Sequence, residues 1–170
     1  VASAIWLVCL FGSPLRAKEA HWIWSPAHSK SAVPEGACYF RKTFTAESPI
    51  RVQATIAADD EYELYVNGQK VGAGESCREL DEYNITEQVK AGRNTIAVKV
   101  TNRRGSTAAL VVRVFVRERE GGWATYSSDE TWLTNLDPAA TWSRPGFNDR
   151  AWEPAQVFGP LGATAPWDHE

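Results

Sequence analysis

The stretch that decides the fold is ADDEYELYVNGQKVG, residues 58–72. Its EYELYV part alternates strictly between two kinds of side chain, which is the pattern of a half-buried β-strand. One face carries Tyr62, Leu64 and Val66, and the other carries Glu61, Glu63 and Tyr65. Asn67 and Gly68 follow, and these residue types best tolerate the positive φ that both central positions of a type I′ turn require. The stretch therefore predicts a β-hairpin.

The same period of two recurs in four further stretches, at residues 39–45, 50–58, 94–101 and 108–116. The positions predicted to face the core are Val52, Ala54, Ile56, Ala58, Ile96, Val98, Val100, Leu110, Val112, Val114 and Val116. Residues 90–94 form a tight connection, and residues 102–106 predict a looser hairpin between two strong strands. At least six short strands predict an all-β, antiparallel β-sandwich.

Helix is scarce in this pattern. Residues 84–92 can hold one helical turn, with Thr86 as its cap and Gly92 as its stop. Residues 147–155 can hold another, opened by Asn148 or Asp149. Neither segment is long enough to form a packing layer, so both are expected to decorate the sandwich.

The composition indicates a single folded domain. The chain has 170 residues, a net charge of -3 and 44% hydrophobic residues, which is enough to bury a real core. This mild acidity gives no reason to expect nucleic acid or an anionic membrane as a partner.

The first twenty residues differ from the rest. An apolar run at 4–11 is followed by the breaker Pro14 and the small residue Ala17, as in a secretory signal. The run is too short to span a bilayer. We expect residues 1–20 to be a signal segment and residues 21–170 to be one domain, secreted or periplasmic and free of the membrane after cleavage. A buried first strand is the alternative.

Cysteine usage leaves two readings open. Cys9 lies in the signal segment, so Cys38 and Cys77 remain in the mature chain. In an oxidising compartment the two can form a disulfide. Alternatively they are separate thiols packed as small hydrophobic groups. No Cys or His pair has the spacing of a zinc site.

Three motifs together resemble a known module. They are Y-x-L-Y-V-N-G-x-x-V-G at 62–72, the segment at 84–89, and G-x-N-x-[IL]-x-V-x-V at 92–100. This is similar to the galactose-binding-like jelly roll of β-galactosidases, α-L-rhamnosidases and other polysaccharide-degrading enzymes. Asn84 stands where that family usually has Asp. HWIWSP…YFRKTF resembles the family's opening strands, and DETWLTN…FNDRAWEPA resembles the segment after this fold in rhamnosidase-type proteins. The resemblance covers residues 21–167.

The resemblance also bears on the rest of the protein. YFRKTF, NRRGSTA and LGATAPWD are similar to the N-terminal regions of large secreted proteins of the planctomycete type. Such chains continue into further domains. The resemblance therefore implies that this segment is the N-terminal part of a longer protein.

Catalysis is not indicated by the residues. Cleavage of a glycosidic bond needs two carboxyl groups about 5–9 Å apart on either side of the sugar. Asp59 and Asp60 are neighbours at a turn, and Glu61 and Glu63 share a solvated face. The histidines lie near the two ends of the chain, at His21, His28 and His169, without a nucleophile elbow. We therefore expect this segment by itself not to be an enzyme.

A binding surface is expected at one rim of the sandwich, where the resembling modules carry their ligand site. The candidate residues are Asp59, Asp60, Glu82, Asn102, Arg103, Arg104, Trp123 and Trp142. Arginine suits planar anions such as uronates and sulfate esters, and tryptophan offers a flat face to a sugar ring or fills the core. Asp59, Asp60 and Asp81 with backbone carbonyls can also supply oxygen ligands to a structural calcium ion. No other cofactor is expected.

We therefore expect a non-catalytic carbohydrate-binding module of a secreted bacterial protein, with a polysaccharide or glycan as its partner. One alternative is a structural jelly roll that packs against a downstream catalytic or haem domain and binds no sugar. Another is an accessory part of a glycoside hydrolase of the rhamnosidase or galactosidase type. Exposed tryptophan at a rim would favour binding, and uniformly buried tryptophan would favour the structural role.

Overall fold

A computed structural model describes residues 19–75 and 77–168 as an all-β sandwich. The predicted signal segment up to residue 18, which includes Cys9, and His169 lie outside the described residues. Within the described part there is no α-helix. Each of the two predicted segments holds a single hydrogen-bonded turn: the Val89 amide donates to the Ile85 carbonyl at 3.3 Å, and the Trp152 amide donates to the Asp149 carbonyl at 3.0 Å. The cap of the first is Asn84 and not Thr86, because the Thr86 amide donates to the Asn84 side chain at 3.1 Å. The described ranges also contain no helix that could cross a membrane.

Twelve strands form two antiparallel sheets. Sheet I contains β1 (His21–Trp24), β3 (Pro49–Asp59), β6 (Asp81–Asn84), β8 (Ala109–Glu118), β9 (Trp123–Ser127) and β12 (Gln156–Pro160). Sheet II contains β2 (Gly36–Ala46), β4 (Glu61–Val66), β5 (Gln69–Gly74), β7 (Gly92–Asn102), β10 (Leu133–Asn135) and β11 (Glu153–Pro154). The order is β12-β1-β8-β3-β6 in sheet I, with β9 also on β8, and β11-β10-β2-β7-β4-β5 in sheet II.

The core between the sheets is built from the alternating residues that the sequence predicts. All eleven predicted inward positions on β3, β7 and β8 have no solvent exposure. On β4, Tyr62, Leu64 and Val66 are buried, whereas Glu61, Glu63 and Tyr65 are only partly covered. Burying an aliphatic side chain of this size stabilises the fold by about 1.5–3 kcal/mol, so these strands dominate the stability.

The first predicted hairpin is confirmed and the second is wrong. Asn67 and Gly68 have φ of 50° and 84°, and Val66 pairs with Gln69 across the two-residue turn. By contrast, β7 pairs with β2 and β4 while β8 pairs with β3, so residues 102–106 cross from one sheet to the other. Strands β7 and β8 show the same alternation because they belong to different sheets that face one core from opposite sides.

A polar network fixes the hairpin turn to the rest of sheet II. The Asn67 side-chain amide donates to the Gln88 carbonyl at 2.8 Å and to Asn94 Oδ1 at 2.9 Å. Asn94 is fully buried, and its own amide donates to the Lys90 carbonyl at 2.7 Å. The recurring Asn-Gly and Gly-x-Asn motifs therefore meet at one point and satisfy buried backbone groups there.

The outer face of sheet II is covered by the turn FNDRAW. Arg41 on β2 is 2% exposed, and its Nε donates to Asp149 Oδ2 at 2.9 Å. Its guanidinium lies over the Phe147 ring at 5.1 Å, beside Trp152, and also binds the Trp142 carbonyl. Residues 142–152 are thereby fastened to the sheet as a lid.

The two cysteines are not paired. Cys38 is buried in the core between the sheets, whereas Cys77 packs against the cluster on the outer face of sheet I. Both are free thiols, so the disulfide prediction is corrected and the alternative of two separate thiols is what the structure has. Burial raises the pKa of the Cys38 thiol well above its usual range.

Candidate functional site

The loops at one rim of the sandwich converge on two neighbouring carboxylates. Strand β3 ends at Asp59, and Asp60 connects it to β4 in the other sheet across a cis peptide bond. Asp60 Oδ2 accepts the amide N–H groups of Arg103 at 2.7 Å and Arg104 at 3.1 Å. The connection between β7 and β8 is therefore anchored to this acid, and we call this region the rim site (Asp59, Asp60, Arg103 and Arg104).

Asp59 accepts hydrogen bonds from two side chains that were not predicted from the sequence. Its Oδ2 accepts the Trp167 indole N–H at 3.0 Å and the Thr107 hydroxyl at 3.5 Å. Burial raises the pKa of the Asp59 carboxyl; these two hydrogen bonds oppose the rise, and the adjacent Asp60 adds to it. Trp167 is 2% exposed and lies against Trp22, with ring centroids 5.1 Å apart. The one sequence signal for the role of Trp167 as a donor to Asp59 is its place in the C-terminal segment APWDHE, residues 165–170.

The arginines at the rim present their side chains to solvent. Arg103 is exposed and forms an ion pair with Glu61. Arg104 is also exposed, and no ion pair is found for it among residues 19–75 and 77–168. The backbone of both arginines is thus fixed at the rim by Asp60, and their side chains are exposed there.

This arrangement is suited to hydrogen bonding. The bonds described above use only Oδ2 of Asp59 and Asp60, and Oδ1 of each has no hydrogen-bond donor among the described residues. Adjacent acceptor oxygens on a rim that also carries two exposed arginines suit sugar hydroxyl groups, which both donate and accept hydrogen bonds. The fixed positions of the carboxylates mean that little side-chain entropy is lost when a ligand binds.

The other predicted site residues lie elsewhere. Asn102 is buried and donates to the Val33 and Pro34 carbonyls at 3.2 and 3.1 Å, so it braces the base of the loop. Trp142 is 9% exposed and packs edge-on to Tyr39 and Tyr65 beneath the lid on sheet II. Neither presents a surface to a ligand.

Glu82 and Trp123 are exposed on the outer face of sheet I. Of the eight predicted residues, the structure therefore brings together the four of the rim site. Sequence spacing could not separate these locations, because strands that are distant along the chain alternate in the same way.

The predicted calcium ligands are not assembled. Asp81 accepts the Tyr62 hydroxyl at 2.5 Å, which ties it to the core hairpin. Within the part of the chain that the structure describes, no three His, Cys, Asp or Glu side chains converge on a common point. The carboxylates of Asp59, Asp60 and Asp81 serve separate hydrogen-bonding roles.

Glu63 is committed to a surface ion-pair network. It contacts Lys70 at 2.8 Å and Lys99 at 3.5 Å, and accepts the Tyr65 hydroxyl at 2.7 Å. Hydrogen bonds from Lys70 and Tyr65 lower the pKa of Glu63 to about 2. A permanently ionised carboxylate of this kind cannot act as a general acid near neutral pH.

Six of the seven tryptophans in the described ranges are buried, and Trp123 is the exception, with 55% exposure. The buried ones fill the core or fasten segments to the outer faces of the sheets. Most of the described tryptophans therefore serve packing, and Trp123 is the one whose ring is exposed for contact with a partner.

Comparisons with known proteins agree with this architecture. The family described as glycosyl hydrolases family 2, sugar binding domain, matches residues 18–113. An alpha-L-rhamnosidase of Streptomyces avermitilis is 30% identical over 155 residues, which cover 86% of this chain and 15% of the relative. The crystal structure of the Streptomyces avermitilis enzyme complexed with L-rhamnose matches with a TM-score of 0.80 and 26% identity, over 87% of this chain and 15% of the enzyme.

A lectin is equally similar in structure. The lectin from Pleurotus ostreatus in complex with GalNAc has a TM-score of 0.81 and 32% identity, over 87% of this chain and 44% of the lectin. This chain therefore spans less than half the length of these relatives.

Proposed function

This chain belongs to the family described as glycosyl hydrolases family 2, sugar binding domain, and we propose that it binds sugar at the rim site. It is a non-catalytic carbohydrate-binding domain of the kind that accompanies glycosidases. The observation that carries the proposal is the pair Asp59 and Asp60. In each, Oδ2 accepts a hydrogen bond within the protein, whereas Oδ1 accepts none from the residues that the structure describes.

The sugars to test first come from the relatives. The Streptomyces enzyme was crystallised with L-rhamnose and the Pleurotus lectin with GalNAc. Both are neutral sugars whose hydroxyl groups can donate to carboxylates. We propose that this chain takes a neutral sugar unit of a glycan, with Asp59 and Asp60 as acceptors and Arg104 as a donor.

Isothermal titration calorimetry of the 170-residue chain with L-rhamnose and GalNAc tests this proposal. Asp60→Asn keeps an oxygen for the Arg103 and Arg104 amides but removes the charge. Because a hydrogen bond to a charged group contributes about 1.5–3 kcal/mol, we expect affinity to fall roughly tenfold or more. Asp137→Asn, on the exposed loop after β10, is the matched control and should bind like the parent.

A second candidate function is a structural one, which the burial of six tryptophans favours. A jelly roll that only packs against a neighbouring domain would give no heat with any sugar while remaining folded. Absence of binding to both sugars and to plant or algal polysaccharides, in a sample with a cooperative unfolding transition, would support this function and defeat the rim site.

We also propose that the domain is an accessory part of a longer glycoside hydrolase of the rhamnosidase type. The support is the 15% of the Streptomyces enzyme that this chain covers, because the remaining length of such an enzyme must hold its catalytic part. Identification of the complete chain and an activity assay on aryl α-L-rhamnosides would test this. A complete chain without glycosidase activity would refute it.

Export is a further proposal, supported by the apolar run at residues 4–11 and the breaker Pro14. We propose that the mature domain is secreted or periplasmic. Expression in a bacterial host followed by intact-mass analysis should show removal of about the first twenty residues. A full-length mass in the cytoplasmic fraction would contradict export.

A further inference from the structure

The outer face of sheet I is covered at one end and open at the other. Trp22, Ala57 and Val111 lie beneath Trp167 at the covered end. Towards the opposite end, no segment within residues 19–75 and 77–168 covers the outward-facing side chains of β3, β8 and β9, which are exposed or half-buried. We call these side chains the arginine face: Arg51, Gln53, Arg113, Phe115, Arg117 and Trp123.

Strand register arranges this face in rows. Arg51 on β3 is the partner of Arg117 on β8, which is in turn the partner of Trp123 on β9. The next row holds Gln53 and Phe115. Adjacent strands lie about 4.8 Å apart and alternate residues about 6.8 Å apart, so the face covers roughly 10 by 13 Å. That area is large enough to contact more than one group of a ligand.

The arginine face carries three arginines and no acid; Glu82 lies on the same side of the sheet but on β6, one strand beyond β3. Like charges directly opposite each other on neighbouring strands are destabilising, yet Arg51 and Arg117 are such a pair. Among the described residues, neither of them nor Arg113 has an ion-pair partner. Glu118, the nearest acid along β8, is occupied by the Glu47 and Ser48 amides at 3.0 and 2.7 Å. An anion from outside the chain would relieve this repulsion.

An exposed aromatic ring completes the face. Trp123 is 55% exposed, and the Arg117 guanidinium lies 5.8 Å from its ring centroid. More than half of this large ring is left in water at the end of a short strand. Its free surface offers the flat apolar contact that a sugar ring can stack against, beside a cation.

A groove continues the face at its β6 edge. It has a volume of about 630 Å³ and is lined by Arg51 together with Ile50, Asn84, Thr86, Gln88 and one acid, Glu87. The Asn84 and Gln53 amides are cross-strand partners and both lie on this side of the sheet. Amides beside arginines supply both donors and acceptors for hydroxyl groups.

We propose that the arginine face is a second glycan-binding surface, specific for a carboxylated polysaccharide such as a polyuronate. Arg51 and Arg117 bind a carboxylate, which the planar guanidinium can hold through two hydrogen bonds. Trp123 stacks against a sugar ring of the same chain. This surface goes beyond the rim site, because it uses different residues and a charged rather than a neutral ligand.

A polyuronate is favoured over nucleic acid by the charge of the whole chain. Double-stranded DNA carries one charge per about 1.7 Å, so a net charge of -3 repels it more strongly than a polyuronate, which has one carboxylate per sugar. The mixture of amides with arginine also suits a hydroxyl-rich polymer. Nucleic acid is therefore an outcome of the test and not the proposed ligand.

Affinity gel electrophoresis of the 170-residue chain tests the proposal, with polygalacturonate, neutral galactan or double-stranded DNA in the gel. We expect retardation by polygalacturonate that weakens between about 0.05 and 0.5 M NaCl, because exposed charges are screened. The variants Arg51→Gln/Arg117→Gln and Trp123→Ala should each raise the dissociation constant about tenfold. Arg150→Gln, an exposed arginine outside this face, should leave retardation unchanged.

Folding and rim binding serve as independent readouts. Arg51→Gln should keep or raise the unfolding midpoint of the free protein, because it removes a repulsive pair. Asp60→Asn should leave polygalacturonate binding intact, so failure of the rim site and failure of this face are distinguishable. No retardation by polygalacturonate, retardation unaffected by either face variant, or equal retardation by DNA would overturn the proposal.

Discussion

Asn67 and Asn94, which lie 27 residues apart, share a hydrogen bond of 2.9 Å between Nδ2 of Asn67 and Oδ1 of Asn94. Asn94 Oδ1 also accepts the Lys90 amide at 2.9 Å, and Asn94 Nδ2 donates to the Lys90 and Gly92 carbonyls. The buried Asn94 side chain therefore satisfies backbone groups of the connection that leads from β6 into β7. It also links that connection to the hairpin turn on which the fold depends.

Removal of the Asn94 side chain should lower the stability of the fold. Asn94→Ala leaves several buried backbone groups without a partner, each worth about 1–3 kcal/mol. We expect the free energy of unfolding to fall by about 2–4 kcal/mol in urea denaturation. Asp137→Ala, in the exposed loop after β10, should change it by less than about 0.5 kcal/mol. Equal stability of the two variants would show that the network contributes nothing.

The ion pair beneath the lid gives a second prediction. Asp149→Ala leaves the guanidinium of Arg41, which is 2% exposed, without its carboxylate. Breaking a buried pair from one side costs about 3–5 kcal/mol, whereas Arg41→Met removes the charge itself and should cost less. Thermal unfolding should rank the parent above Arg41→Met and Arg41→Met above Asp149→Ala. The reverse order of the two variants would contradict a buried, paired Arg41.

Close packing at β5 gives a third prediction. A methyl group on Gly74 would meet the Tyr62 ring, with Cε1 at 2.6 Å, and would also collide with Asp81. Overpacking of this kind typically costs about 1–3 kcal/mol, so Gly74→Ala should lower the urea midpoint. Ala73→Ser, at the adjacent exposed position, is the control and should leave the midpoint unchanged. An unaltered midpoint for Gly74→Ala would mean that the Tyr62 ring has free space.

The ion-pair network of Glu63 gives a pH dependence. Its pKa is lowered to about 2, so its stabilising effect is fully present above the unfolded pKa of about 4.3 and is lost as pH falls towards 2. The carboxylate is about one-third exposed, and such pairs are worth only about 0.2–1 kcal/mol. Glu63→Gln should therefore be slightly less stable than the parent at pH 7.

The difference between Glu63→Gln and the parent should shrink between pH 4.3 and pH 2. Ala73→Ser, an exposed position on β5 without a titratable group, is the control and should show no such pH-dependent difference. A gap between Glu63→Gln and the parent that widens on acidification would contradict the assigned direction of the pKa.

Alternation of inward- and outward-facing residues along a strand shows which face is buried, but it does not show which strands are neighbours. Period two identified the buried faces of β3, β4, β7 and β8, because burial of one sheet face leaves a direct mark on the chain. It could not tell whether residues 102–106 join neighbours in one sheet or cross between sheets, because both arrangements bury the same faces. The hairpin expected there was wrong for this reason.

Side chains on the outer faces were harder to predict. Arg41 looks like a solvent-facing position on an alternating strand, yet the FNDRAW turn buries it, and that turn is more than 100 residues away. Trp142 and Trp123 likewise have opposite exposures that nothing local distinguishes. The hydrogen bond from Trp167 to Asp59 depends on how the tail folds back, which no short pattern records.

The most direct test of the rim site is residue-level mapping by ¹H–¹⁵N correlation spectra of the 170-residue chain during titration with L-rhamnose and GalNAc. We predict that at least one of these sugars shifts the amides of Asp60, Arg103 and Arg104 in a saturable manner, and that Asp60→Asn needs about tenfold more sugar or more to reach the same occupancy. Saturable shifts confined to other surfaces, or none with either sugar in a folded sample, would contradict a sugar site at this rim.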